Sequence, residues 1–144
     1  MSAGPVGAPD APGAASEATM RLLLRALGVS QVALGLFMAA VPGVFADTIG
    51  GFGTRNDHLT RDGATFYLAL GAGLVLAATR RSWRVPLLAV ATVDFALHVL
   101  NHVVDIADAE PAWVGPFDAA VLAAELGLLV WLWLEATRAG DPGR

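Results

Sequence analysis

Four long apolar blocks, separated by short polar segments, are the main pattern along the chain. The blocks cover residues 22–41, 63–79, 85–104 and 112–136. A helix needs about 20 mostly apolar residues to cross the hydrocarbon core of a bilayer. Pro42, Pro86 and Pro111 stand at block boundaries, where proline ends a helix or fits its first turn. The pattern therefore predicts an all-α integral membrane protein that folds as a four-transmembrane-helix bundle.

The second block has the small residues of a closely packed helix. Ala69, Gly73 and Ala77 recur at every fourth position, a spacing that lets two helix backbones approach each other. We expect this span to lie inside the bundle. The same face permits a homo-oligomer or a contact with a partner in a membrane complex.

Composition agrees with a protein whose first partner is the lipid bilayer. The chain is 56% hydrophobic and only 15% charged, whereas a soluble domain is about 25% charged. The formal net charge is −4, which leaves no basic surface for a nucleic acid. Because the chain has no cysteine, disulfides and thiolate chemistry are excluded.

The arginines predict how the bundle is oriented. Seven of the nine lie in three places that the four-span plan brings to one side: Arg21 and Arg25, then Arg80, Arg81 and Arg84, then Arg138 and Arg144. The other two, Arg55 and Arg61, belong to the segment on the opposite side. Loops rich in arginine stay in the cytoplasm. We therefore expect both termini to be cytoplasmic and the protein to lie in the inner (plasma) membrane.

The predicted boundaries follow from the same plan. They are a disordered tail at 1–19, a transmembrane domain at 20–137 with an outer loop at 42–62, and a short cytoplasmic tail at 138–144. A cleaved signal peptide is the alternative, since residues 44–46 before Asp47 resemble a cleavage site. A first block that contains Arg25 and Gln31 is long and polar for a signal peptide, which favours four spans.

The third span carries a row of polar residues. At about 100° per residue, all of them fall on one face of a helix. They are Asp94, His98, Asn101, His102 and Asp105. Ionisable side chains in a bilayer cost about 2.5 to 3.5 kcal/mol each on insertion scales, so by default they mark a site.

The fourth span adds two acids on one face. Asp118 and Glu125 are seven residues apart in the sequence, and the helical rise places Glu125 near the bilayer midplane. Asp94 and Gln31 reach about the same level. With the first loop as a cap, these spans predict a polar cavity that opens to the outside.

The cavity residues divide by their chemistry. The candidate catalytic residues are Asp94, Glu125, Arg61, Asp62 and Asp118, and the candidate metal ligands are His98, His102 and His58. Two histidines four positions apart on a helix can share a metal ion, although the glutamate of the zinc-protease motif is missing here. Nitrogen and oxygen ligands would suit Zn, Mn or Fe.

Other uses of the same residues stay open. Carboxyls at the midplane and histidines above them can pass protons, either in proton-linked transport or to a lipophilic small molecule that enters from the membrane. Haem held by His58 and His98 is another arrangement, and no specific feature supports it. A purely structural interpretation leaves the polar face satisfied within the bundle.

One segment and the histidine pair carry a family resemblance. The run Asn-Asp-His-Leu-Thr-Arg-Asp-Gly at residues 56–63 heads a Gly/Ala-rich span, and His98 and His102 follow in the third span. This combination resembles small bacterial four-span proteins that are DoxX-like in overall plan, across about residues 20–137. The resemblance implies the four-span fold and, as an alternative function, a non-enzymatic accessory subunit of a redox or transport complex.

Overall fold

Five α-helices make up the computed structural model, which describes residues 16–140. They are α1 (Glu17–Ala40), α2 (Pro42–Thr48), α3 (Asp57–Thr79), α4 (Arg84–Val104) and α5 (Val114–Gly140), with a 3-10 turn at Arg81–Trp83. Four of them, α1, α3, α4 and α5, are long and apolar enough to cross a membrane. Within residues 16–140 the only β pairing is a single bridge between Phe52 and Ala109. The predicted all-α class and the four candidate spans are confirmed.

Two helix starts differ from the prediction because polar residues cap them. Ser16 Oγ accepts a hydrogen bond from the Thr19 amide at 3.1 Å, so α1 begins inside the predicted tail. Asn56 Oδ1 accepts from the amides of His58 and Leu59, both at 3.1 Å. The second long helix, α3, therefore starts well before residue 63, within the predicted outer loop.

The structure describes the two predicted tails only in part, and it places the candidate cleavage site in a helix. Residues 1–15 and 141–144, which belong to the two predicted tails, lie outside the described residues. Residues 138–140 continue α5. The segment 44–46, considered as a cleavage site, lies within the short helix α2. The cytoplasmic placement of the termini stays a prediction.

The four long helices pack as two pairs. Helix α1 lies along α3, α4 lies along α5, and α3 touches α4 much less. In the first pair, a Cβ built on Gly28 would lie 2.7 Å from the carbonyl oxygen of Gly71, and one built on Gly71 would lie 2.6 Å from that of Gly28. The backbones of α1 and α3 are thus in direct contact at these two glycines.

An apolar core fills one half of the bundle. Its largest fully buried side chains are Leu24, Leu74, Leu88, Phe95, Leu129 and Leu132. They come from the first half of α1, from the first half and the middle of α4, and from the second half of α3 and α5, so they lie toward one end of the antiparallel bundle. We call it the arginine end, because Arg84 lies there.

An ion-pair cluster joins the helices at the arginine end. Arg84 donates two hydrogen bonds to Glu17, at 2.8 and 2.9 Å, and one to the carbonyl oxygen of Ala77 at 3.1 Å. Arg81 and Arg21 also contact Glu17, at 2.9 and 2.6 Å. Because the Arg84 side chain is only 7% exposed, its charge depends on these partners. The cluster ties α1, α3 and α4 together.

The opposite end, which we call the loop end, is closed by two connections. Phe52, before α3, forms the bridge with Ala109, which lies between α4 and α5. The Glu110 amide donates to the carbonyl oxygen of Gly51 at 2.8 Å. The two helix pairs are therefore joined at both ends, and the polar half of the bundle lies next to these loops.

Candidate functional site

The polar face of α4 lines an open groove of about 330 Å³ near the loop end. Its lining residues are Phe52, Asp94, Leu97, His98, Asn101, His102 and Asp105. All five members of the predicted polar row therefore take part in one groove. They do so because α4 is a regular helix through Val104, which keeps these side chains on one face.

A pair of imidazoles forms the centre of the groove. The Nε2 atoms of His98 and His102 are 3.0 Å apart, and the two rings stack with centroids 4.8 Å apart. On the other side of His98, Nδ1 is 3.5 Å from the Tyr67 hydroxyl, which is long for a hydrogen bond. His102 Nδ1 is buried and has no partner among the described residues. The site is thus a row from Tyr67 through His98 to His102.

Acidic groups act on this row from two directions. Asp94 interacts electrostatically with His98, and Asp105 does so with His102. The half-buried Tyr67 interacts electrostatically with Asp94, Glu125 and Asp118. Asp118 and Glu125 do not line the groove. Both are residues of α5.

Glu125 also accepts a hydrogen bond that links α5 to α1. Gln31 is 3% exposed, and its Nε2 donates a hydrogen bond to Glu125 Oε1. Gln31 Oε1 is buried without a partner among residues 16–140. The carboxyl group of Glu125 therefore holds a buried amide, in addition to its electrostatic interaction with Tyr67.

A larger cavity lies at the loop end beside the groove. We call it the vestibule; its volume is about 790 Å³. Its lining includes Asp47 at the end of α2 and the loop residues Thr54, Arg55 and Glu110. Arg55 donates to Asp57 at 2.6 and 3.1 Å, and this hydrogen bond raises the pKa of the guanidinium above its ordinary value. The vestibule carries more acidic than basic groups.

The first turns of α3 hold three candidate residues away from the groove. The His58 side chain is 87% exposed, and its Nε2 lies 3.4 Å from Asp62 Oδ2. Arg61 Nε donates to the carbonyl oxygen of Ala39 at 3.4 Å. These residues form surface contacts because α3 begins early and turns them to the outside. The structure does not bring them to the histidine pair.

The predicted three-histidine metal site is not assembled. Among residues 16–140, no three or more His, Asp or Glu side chains converge in a way that could hold a metal ion. His98 and His102 bring their Nε2 atoms together, whereas His58 pairs with Asp62 on the surface. Two nitrogen donors are what the described residues offer.

Phe52 is the site residue that the sequence reasoning missed. Its ring packs edge to face on His102, with centroids 4.7 Å apart and an interplanar angle of 81°. The available signal was a single aromatic residue among Gly50, Gly51 and Gly53. Its importance depends on the loop path, which local sequence does not indicate.

The fold and the groove together define a class: a multi-pass, all-helical membrane protein with a polar groove in one half of its bundle. No family model matches the chain, and neither curated proteins nor solved structures give a match. The resemblance to DoxX-like proteins therefore stays a prediction.

Proposed function

We propose that this multi-pass membrane protein binds the polar head of a lipophilic molecule in the α4 groove and exchanges a proton with it. The observation that carries the proposal is the pair of imidazole Nε2 atoms 3.0 Å apart in an open groove. A volume of about 330 Å³ lies within the usual range for small-ligand sites, about 300 to 1,000 Å³.

The protonation of the pair follows from its partners. In a neutral pair one Nε2 carries hydrogen and the other accepts it. If His102 donates, its Nδ1 is left with a lone pair, and His98 Nδ1–H is free to donate to the Tyr67 oxygen. The opposite assignment would leave His102 with a buried N–H without a partner, which is the rarer situation in proteins. We therefore assign the donor to His102.

Proton exchange through this row needs no further group. A hydroxyl bound in the groove can give its proton to His102 Nδ1, the ring nitrogen that this assignment leaves with a free lone pair. The pair then carries one positive charge, which the Nε2–H···Nε2 hydrogen bond spreads over both rings. Asp94 and Asp105 face the charged pair from either side. The apolar core at the arginine end favours a one-sided site over a proton path through the whole bundle.

The test uses the three histidines of the chain as separate ¹⁵N NMR probes in lipid nanodiscs. Adding para-dodecylphenol should shift the ring nitrogens of His98 and His102 and leave exposed His58 unchanged. The methyl ether of the same compound, which cannot donate a proton, should leave all three unchanged. His98→Phe should weaken phenol binding about tenfold, the effect of one hydrogen bond in a partly buried site.

Two results would contradict this function. One is a phenol titration that moves none of the three histidines. The other is an equal response to the phenol and to its methyl ether, since the alkyl chain alone would then account for binding. His58→Phe serves as the matched control variant, and it should bind the phenol as the unmodified protein does.

A metal ion is the second candidate for the groove. The distance of 3.0 Å between the two Nε2 atoms also fits two neighbouring ligands of one metal ion. Because no third His, Asp or Glu of the described residues converges on them, water or a bound molecule would have to complete the shell. Elemental analysis of the purified protein is then expected to show a stoichiometric transition metal that the double variant His98→Phe/His102→Phe lacks. A metal content that is equal in both proteins would remove this candidate.

A further inference from the structure

Among the residues that the structure describes, Phe52 is the one that lines both cavities of the loop end. It belongs to the histidine groove of about 330 Å³ and also to the vestibule of about 790 Å³. The groove contains the imidazole pair, and the vestibule contains the charged loop residues. Phe52 therefore lies at the boundary that the two cavities share.

The backbone that carries Phe52 is held in place. Its amide donates to the carbonyl oxygen of Gly50 at 2.9 Å, and the Glu110 amide donates to that of Gly51 at 2.8 Å. A Cβ on Gly51 would overlap the Glu110 carbonyl oxygen, so a side chain has no room there. The bridge to Ala109 fixes Phe52 itself. The ring is thus the part of this segment that is free to change position.

The ring covers the side of His102 that faces the loop end. It meets the imidazole edge to face at 4.7 Å, and the adjacent His102 Nδ1 is buried without a partner in the described chain. A phenyl ring neither accepts a proton nor carries one. It therefore separates the imidazoles from the charged groups of the vestibule.

We propose that Phe52 is the barrier between the vestibule and the histidine groove. Water-soluble molecules from the loop end reach the imidazole pair only when the ring leaves His102. The groove then takes its lipophilic ligand from the bilayer side. Phe52 determines whether the histidines contact water or the bilayer. This inference rests on the proposed function in one respect: it takes the histidine groove as the place where the ligand binds.

Single cysteines test the barrier directly, because the chain has none of its own. Leu97→Cys places a thiol in the groove, and Thr54→Cys places one in the vestibule. A trimethylammonium methanethiosulfonate, which does not cross bilayers, is added to the protein in nanodiscs, and the labelling rate is measured by mass spectrometry. The vestibule thiol should react faster than the groove thiol.

Removing the ring should open the groove. Phe52→Ala is expected to raise the labelling rate of Leu97→Cys about two- to tenfold, the equilibrium factor for losing an aromatic contact of this kind. The rate at Thr54→Cys should not change. Phe52→Leu should give an intermediate rate, and it provides the same comparison if the alanine variant fails to fold. Phe117→Ala, which removes an exposed ring on α5, is the matched control.

Two outcomes would overturn the barrier. In one, the groove and vestibule thiols react equally fast while Phe52 is present. In the other, neither Phe52→Ala nor Phe52→Leu changes the rate at Leu97→Cys. Because this reagent reports access and the phenol titration reports binding, the two proposals fail separately. If the groove opens in Phe52→Ala but the protein does not bind the phenol, the barrier proposal stands and the proposed acid–base site is contradicted.

Discussion

Replacing Gly71 with leucine is expected to destabilise the bundle by at least about 3 kcal/mol, the upper end of the usual cost of overpacking a close-packed interior. Even a Cβ at this position would lie 2.6 Å from the carbonyl oxygen of Gly28 and 2.8 Å from the amide nitrogen of Val32. Both are main-chain atoms of α1, so no side chain can move aside. The helices must separate, and their contact is lost along its length.

The free energy of unfolding, measured by denaturation in mixed detergent micelles, checks this expectation. Gly127→Leu is the matched control, because a Cβ there meets nothing within 4 Å. It lies on the exposed face of α5, and its substitution should leave stability unchanged or slightly higher, since glycine is a weak helix former. Equal stability of the two variants would show that α1 and α3 do not meet at the glycines.

The second large effect is expected at the hydrogen bond between α1 and α5. Glu125→Leu should cost about 1 to 3 kcal/mol, because it leaves the Gln31 amide buried without its partner. Gln31 is 3% exposed and its Oε1 already has no partner among the described residues. Glu125→Gln, which retains an acceptor oxygen, should keep most of the stability.

A double-mutant cycle separates this contact from the other effects of each substitution. Gln31→Leu/Glu125→Leu should be nearly as stable as the unmodified protein, because replacing both partners with apolar groups removes the desolvation cost of each. The free energies of unfolding of the four proteins give the coupling energy. Strictly additive losses would mean that Gln31 and Glu125 do not interact in the folded protein.

The sequence predicts the spans and the polar face of α4 because both depend on local periodicity. Helix length follows from the apolar blocks, and the spacing of Asp94, His98 and His102 places them on one face wherever α4 packs. The sequence also indicates close packing for α3. The residues it singles out are Ala69, Gly73 and Ala77, whereas Gly71 makes the backbone contact with α1. Rotation of a helix about its axis depends on its neighbour, which local spacing does not specify.

The sequence by itself determined that this chain has four helices fit for a membrane and a concentrated polar row on one of them. Only the tertiary structure decided which polar groups meet. It joins Glu125 to Gln31, leaves His58 on the surface and sets the Phe52 ring against His102. The reason is physical. Whether a span suits the membrane depends on the hydrophobicity of its own residues, whereas contacts between spans depend on the path of the loops and on which backbones approach most closely.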